Sequence, residues 1–295
     1  MPTIVRKATS ADAAGVYELL RGSTLNNAAL PFSARRRLFQ PIWGGNEGYY
    51  GYLLESEEEV VGFLGMLFTE RDTEAGRHKF CELHSWYVKD AYRNESMKLF
   101  LPVIGLKRVT LLNYTPTQPV YEISKKFGFE DLETTLLQIC PVPTVRAVRR
   151  RYRISTDKPV VERELDSGDQ AILRDHYDVD CTHMLVRHPA RSGYLYLIVK
   201  TMRSGRFLRF GRIIYFSDPA YLAEALEYLA LYLCGRYGWL SLIIDRDQLP
   251  DHTPGICTRS FAREVPSLYK SKVLTADQLR TQLYSEPLLV GYRLH

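Results

Sequence analysis

Residues 81–100 read CELHSWYVKDAYRNESMKLF. Together with the two residues before it, the first part of this stretch, Lys79–Val88, carries the aromatic and β-branched content of a strand. Alternation along such a strand puts Glu82, His84 and Trp86 on one face. The polar run Lys89–Ser96 then reads as a loop, and Met97–Ile104 as a short helix that Pro102 interrupts early. The unit is therefore a strand that passes through a polar loop directly into a helix.

Upstream, Thr3–Lys7 is a short strand. Ser10 opens an amphipathic helix with Asp12 in its first turn, where a carboxylate opposes the helix dipole. Val16, Leu19 and Leu20 make its apolar stripe. Residues 22–47 are loop-rich, with a second helix near Ser33–Gln40. Tyr49–Glu55 and Glu59–Phe68 form a hairpin across the acidic turn Ser56-Glu57-Glu58. Gly62 and Gly65 fall on its second strand and read as packing or bulge positions. Downstream, Lys107–Asn113 is a strand, and Val120–Phe127 a helix that Gly128 ends. Glu133–Cys140 is a last strand, closed by Pro141 and Pro143.

Residues 144–156 (TVRAVRRRYRIST) change character, with Arg146, Arg149, Arg150, Arg151 and Arg153. They read as a basic linker or as the first piece of a second domain. Beyond them the chain repeats itself. RKATSADAAGVYELL from Arg6 matches RELDSGDQAILRDHY from Arg163, with Arg6/Arg163, Ser10/Ser167, Asp12/Asp169 and Ala14/Ala171 at a constant offset. A hairpin (Tyr194–Thr201 with Phe207–Tyr215), a helix (Ala220–Tyr237) and a strand (Leu240–Asp245) follow. A duplicated α/β unit accounts for these.

The length of 295 residues fits two domains at the usual size of about 100–200 residues. A charged fraction of 25% and a hydrophobic fraction of 45% exclude long disorder and collagen-like repeats. The net charge of +5 suits phosphate-bearing ligands and falls short of what a nucleic-acid partner asks. Five cysteines without a CxxC pair point to a reducing compartment. The N-terminal MPTIVRKATSADAAG has no apolar core of a signal peptide. The most apolar run, Ala225–Cys234, contains Glu227 and is too short to span a bilayer. A cytoplasmic protein with no membrane partner is expected.

The order of elements in residues 3–140 resembles the GNAT acyl-CoA N-acyltransferase fold. Three segments carry the likeness: CELHSWYVKDAYRNESMKLF as the fourth strand and pyrophosphate loop, KRVTLLNYTP as the fifth strand, and ISKKFGF as the helix ending in Gly-Phe. The resemblance implies an α/β protein of two GNAT-like domains. Each is a mixed, mostly antiparallel sheet flanked by helices: residues 1–143, the linker 144–156, and a second, degenerate copy at 157–295. It implies acyl transfer, with acetyl-CoA or another acyl-CoA as co-substrate and no metal, to a small-molecule or peptide amine. In such a fold, loop N–H groups and the helix dipole hold the pyrophosphate. That assigns Arg93, Asn94, Ser96, Met97 and Lys98 to the pyrophosphate, and Tyr87 and Val88 to the pantetheine arm. Glu82 becomes the general base, its pKa raised by apolar surroundings.

The sequence departs from the family pattern at several points. Ser96 and Lys98 replace the loop glycines. Ser124 stands where the family has its Tyr general acid, and Thr117 where it has an Asn. Tyr121, one turn earlier, is a substitute donor or a buried helix tyrosine. The second half has no pyrophosphate loop, because Tyr215-Phe216-Ser217-Asp218-Pro219 leads straight into a helix.

Two other readings stay open: a non-catalytic sensor or scaffold that keeps the fold, and a tandem aminoacyl-type transferase using a charged RNA. His176, Cys181, His183 and His188, with Asp175, Asp178 and Asp180, are residue types that ligate zinc, but at a spacing that matches no known site. Phe207-Leu208-Arg209-Phe210, with Arg203, Arg206 and Arg212, reads as a half-buried strand with snorkelling arginines.

Overall fold

The computed structural model describes residues 2–25, 30–73, 76–149, 151–205, 207–250, 257–279, 282–291 and 293–294. Its strands are β1 Ile4–Lys7, β2 Gly51–Ser56, β3 Glu59–Thr73, β4 Gly76–Val88, β5 Val109–Asn113, β6 Glu130–Asp131, β7 Thr135–Ile139, β8 Arg153–Ser155, β9 Thr182–Arg187, β10 Leu195–Ser204, β11 Leu208–Phe216, β12 Leu242–Asp245, β13 Thr258–Ala262, β14 Leu268–Lys270 and β15 Arg293–Leu294. The helices are α1 Ala13–Arg21, α2 Phe32–Arg36, α3 Met97–Ile104, α4 Gln118–Lys126, α5 Val145–Arg149, α6 Lys158–Glu164, α7 Ser167–Asp175, α8 Pro219–Tyr237 and α9 Glu286–Val290.

They form two compact units. One comprises Met1–Leu132, Val265–Arg280 and Tyr284–Val290; the other comprises Glu133–Glu264, Thr281–Leu283 and Gly291–His295. The first sheet runs β1-β2-β3-β4-β5-β14-β6, and the second β13-β7-β12-β11-β10-β9-β8, with β15 beside β10. Each sheet is mostly antiparallel and has a parallel pair at the equivalent place, β4 with β5 and β11 with β12; β15 also lies parallel to β10. The expected α/β class, two mixed sheets with flanking helices, is what the chain adopts.

The two sheets exchange a strand. β7, expected as the last strand of the first sheet, pairs with β12 and β13 in the second. Its place in the first sheet, between β5 and β6, is taken by β14. Residues 144–156 are not a bare connector. They contain α5, which buries Ala147, and β8, the edge strand of the second sheet. Arg150 and the Arg146 side chain lie outside the described residues.

Local chemistry explains the first unit. The β2–β3 turn places Glu57 and Glu58 at φ 52° and 66°, two successive left-handed residues as a tight hairpin turn requires. Val16, Leu19 and Leu20 of α1 are buried. α3 spans the expected Met97–Ile104, and Pro102 lies within it. The sheet carries apolar cores on both faces. Cys81, Leu83, Leu111 and Phe100 share one, and Phe80, Leu112, Tyr114 and Leu132 the other.

In the second unit, the Asp218 carboxylate accepts the Tyr221 N–H at 2.8 Å and caps α8. Gly238, at φ 67°, ends that helix. Leu222, Leu226, Leu229 and Leu233 form its buried stripe. The offset between the two halves survives at the helix starts, where Ser10 and Ser167 follow the caps Thr9 and Asp166, but not in the segments before them. Arg163 lies in helix α6 rather than in a strand. Asp12 bridges Arg6 at 2.7 Å, whereas buried Asp169 accepts the hydroxyls of Tyr194 (3.0 Å) and Tyr215 (2.7 Å). Among the described residues no helix is long and apolar enough to cross a membrane.

Candidate active site

β4 and β5 pair in parallel from Lys79↔Val109 to Glu82↔Leu112. Beyond that point β4 continues to Val88, paired on its other edge with β3. Among the described residues no strand pairs with the β5-facing edge of β4 after Glu82. The two strands therefore diverge, leaving open backbone at Tyr87 and Val88.

A bulge sits at the start of this divergence. The β3–β4 register shifts between Phe63 and Gly65, and Ser85 takes φ 51°. One extra residue reverses the side-chain alternation beyond it. His84 accordingly lies beside Phe63, while Trp86 stacks on Phe100 of α3 at 4.9 Å on the opposite face. The expectation that Glu82, His84 and Trp86 share a face thus holds for the first two only. The bulge also explains Gly65, where a Cβ would sit 2.1 Å from the His84 ring. Gly62 is a packing position too, since its Cβ would approach Val88 at 2.9 Å.

Glu82 is 2% exposed. Its Oε2 accepts the backbone N–H of Glu286 at 2.6 Å, so α9 lies over it. Burial, and then the nearby Glu286 carboxylate, push the Glu82 carboxyl well above the ordinary range. Removing a carboxylate from water disfavours its charged form, and a second negative charge adds to the effect. The same face holds His84, neutral because burial pulls its pKa down to about 3. It also holds Arg35, 1% exposed, whose pKa burial lowers while Glu286 raises it. Arg71 lies over the rings of Phe80 and Tyr284. The result is a buried polar cluster of Arg35, Glu82, His84 and Glu286.

Sequence reading missed Arg35 and Glu286. Arg35 is hidden in the run Arg35-Arg36-Arg37, although Leu38 and Phe39 stand at helical spacing from it and are also buried. Glu286 lies too far along the chain for any local pattern to connect it with Glu82.

The loop after β4 differs from an open cradle of N–H groups. Asp90–Glu95 winds into a 3-10 helix, and the N–H groups of Tyr92, Ser96 and Leu99 are taken up by the carbonyls of Lys89, Arg93 and Ser96. Arg93 bridges Asp90 at 2.6 Å. Lys98 pairs with Glu95 and donates to Thr3 Oγ1 at 3.2 Å. Asn94, Ser96, Met97 and Lys98 do lie at the entry of α3, where an anion would meet the positive end of the helix dipole. The open strand edge and the helix entry are the features that could hold an extended anionic cofactor, and Arg93 and Lys98 there are each paired with a neighbouring carboxylate.

Tyr121 and Ser124, the positions that the resemblance relates to the general acid, both lie in α4. Tyr121 is half-buried, and its hydroxyl donates to Asp131 at 3.0 Å. The Ser124 hydroxyl is buried without a hydrogen-bond partner.

Other expected clusters have structural roles. His176 is bonded to the carbonyls of Ile172 (2.8 Å) and Leu283 (2.7 Å). His183 bonds the Tyr196 hydroxyl at 2.7 Å. Arg212 forms a buried pair with Asp245 at 2.5 Å, and Arg206 lies outside the described residues. In the second unit β11 and β12 pair only at Gly211↔Leu242 and Arg212↔Ile243, and Trp239 packs on Gly211 at the start of that pairing, where a Cβ would lie 2.4 Å from its ring. Pro219 removes an N–H from the entry of α8, and the remaining cap is met by Asp218.

No family model matches the sequence, and neither does any curated protein. Solved structures do. A GCN5-related N-acetyltransferase from Anabaena variabilis ATCC 29413 superposes with TM-score 0.54 at 13% identity, over 91% of this chain and 72% of the other. One from Kribbella flavida gives 0.56 at 12%, over 91% and 70%. A conserved protein of unknown function from Enterococcus faecalis V583 gives 0.60 at 12%, over 94% and 74%. The chain is built as two units with the fold of the GCN5-related N-acetyltransferases.

Proposed function

We propose that the first unit is an acyl-CoA-dependent N-acyltransferase, with acetyl-CoA the first donor to consider and a small-molecule or peptide amine as acceptor. The observation that carries this reading is the divergence of β4 from β5 beyond Glu82 and Leu112. Open backbone at Tyr87 and Val88 can pair with the amides of a pantetheine arm. Arg93 and Lys98 would exchange Asp90 and Glu95 for phosphate oxygens, with the backbone of Asn94, Ser96 and Met97 alongside. Direct transfer forms an amide C–N bond at the thioester carbonyl carbon as the C–S bond breaks, and the sulfur leaves as thiolate. Glu82, ionised, takes the proton that the attacking ammonium must lose. For that role α9 must shift, because the Glu286 N–H now occupies the Glu82 carboxylate. The second unit, where Pro219 and the Asp218 cap stand at the entry of α8 in place of a pyrophosphate loop, supports the first and binds no acyl-CoA. The test is thiol release from acetyl-CoA over a panel of amines. Turnover that Glu82→Gln lowers about 100-fold or more supports the reading; turnover unchanged by that substitution removes Glu82 from it.

One set of observations favours a second reading, a non-catalytic protein that keeps the fold. Glu82 is sealed beneath α9, and the loop amides and cations are satisfied internally. This reading predicts neither turnover nor acyl-CoA binding.

A further inference from the structure

At the opposite end of β4 and β5 from the divergence, the first unit contains a cleft of about 1110 Å³. It lies between the start of β4, the start of β5, the end of α3 and the residues after β14. Its rim is strongly basic. Arg77 and Lys79 are paired with Glu70 and Glu47, and Lys270 donates to the Phe127 carbonyl. Lys107, Arg108 and Lys272 also line the cleft, and among the described residues none of the three has an ion pair. Arg108 is held at φ 58°, a conformation that L residues rarely adopt and that tends to mark functional positions. On the cleft wall a chain of hydrogen bonds runs from His78 Nε2 to Thr110 Oγ1 (2.9 Å) and on to Ser271 Oγ (2.8 Å). Leu106, Val109 and Val273 supply apolar wall.

We propose that this cleft binds a small-molecule phosphate ester, separately from any acyl-CoA site. Its phosphates meet Lys107, Arg108 and Lys272, and the less polar remainder lies on the apolar wall. Three cations lining one concavity, none with an ion pair among the described residues, concentrate an anion there. The concave shape and apolar wall favour a compact ligand over a nucleic-acid strand, which needs a basic track along its backbone.

The probes are ATP and inorganic pyrophosphate, titrated by calorimetry into the full chain. ATP is expected to bind, and more tightly than pyrophosphate because only ATP reaches the apolar wall. Lys107→Glu with Lys272→Glu, both exposed positions, should weaken ATP binding about tenfold or more, since each pair of like charges replaces an attraction. Arg93→Ala should leave it unchanged, with the unfolding midpoints of all variants confirming the fold. Absence of binding at millimolar ATP overturns the proposal. So does loss of binding in Arg93→Ala alone, which would assign the anion to the loop before α3. Binding of single-stranded RNA without ATP would overturn it in favour of a nucleic-acid surface.

Discussion

Gly65→Ala tests the bulge that shapes the divergence of β4 from β5. A Cβ at residue 65 would lie 2.1 Å from His84 Cε1, 2.4 Å from Nδ1 and 2.6 Å from Nε2. Ordinary contact begins near 3.4 Å, so the ring must move by more than about 1 Å. It has little room to do so, being 6% exposed and set against Phe63. Overpacking of this kind costs about 1–3 kcal/mol. A loss of about 2 kcal/mol lowers the unfolding temperature by roughly 4–8 °C in a domain of this size. Urea unfolding followed by far-ultraviolet circular dichroism gives the free-energy change. The double variant Gly65→Ala/His84→Ala removes the clash and should be no less stable than His84→Ala alone. A change in stability of less than about 0.5 kcal/mol in Gly65→Ala, or a double variant that shows the sum of the two losses, would rule out the clash.

Two further outcomes follow from the same structure. The Glu82 carboxyl is held well above its ordinary range, so the folded state binds a proton that the unfolded state has released. This stability is fully present below about pH 4.3, the unfolded value, and is lost as pH rises through the folded one. Glu82→Gln stays neutral, and its thermal midpoint relative to the parent should be higher at pH 8 than at pH 4; an equal difference at both would contradict the assignment. A fragment of residues 1–143 lacks β14, which sits between β5 and β6. It should fail to give cooperative unfolding by circular dichroism, whereas a stable, cooperative fragment would contradict the strand exchange.

Much of the fold was legible because it is local. The hairpin around Glu57 and Glu58, the stripe Val16, Leu19 and Leu20, and the long α8 each declare themselves through period or turn chemistry. The exchange of β7 and β14 was not legible, because strand sequence encodes the faces of a strand and not the identity of its neighbour. The side-chain direction of Trp86 was misread for a related reason. A bulge changes the count by one residue, and nothing in His84-Ser85-Trp86 announces it. The site was half visible: Glu82 follows from its strand, while Arg35 and Glu286 reach it only through tertiary packing. The loop after β4 was expected to offer free amides. Its sequence, rich in short-range pairs such as Asp90–Arg93 and Glu95–Lys98, closes into a 3-10 helix instead.

The central claim is that the divergence of β4 from β5 accepts the donor. Calorimetric titration of the full chain with acetyl-CoA tests it most directly. Saturable micromolar binding is expected, weakened about tenfold by Arg93→Ala, the cost of one charge-assisted phosphate contact. Absence of binding at millimolar acetyl-CoA, in protein with an intact unfolding transition, would contradict it and leave the fold as a scaffold.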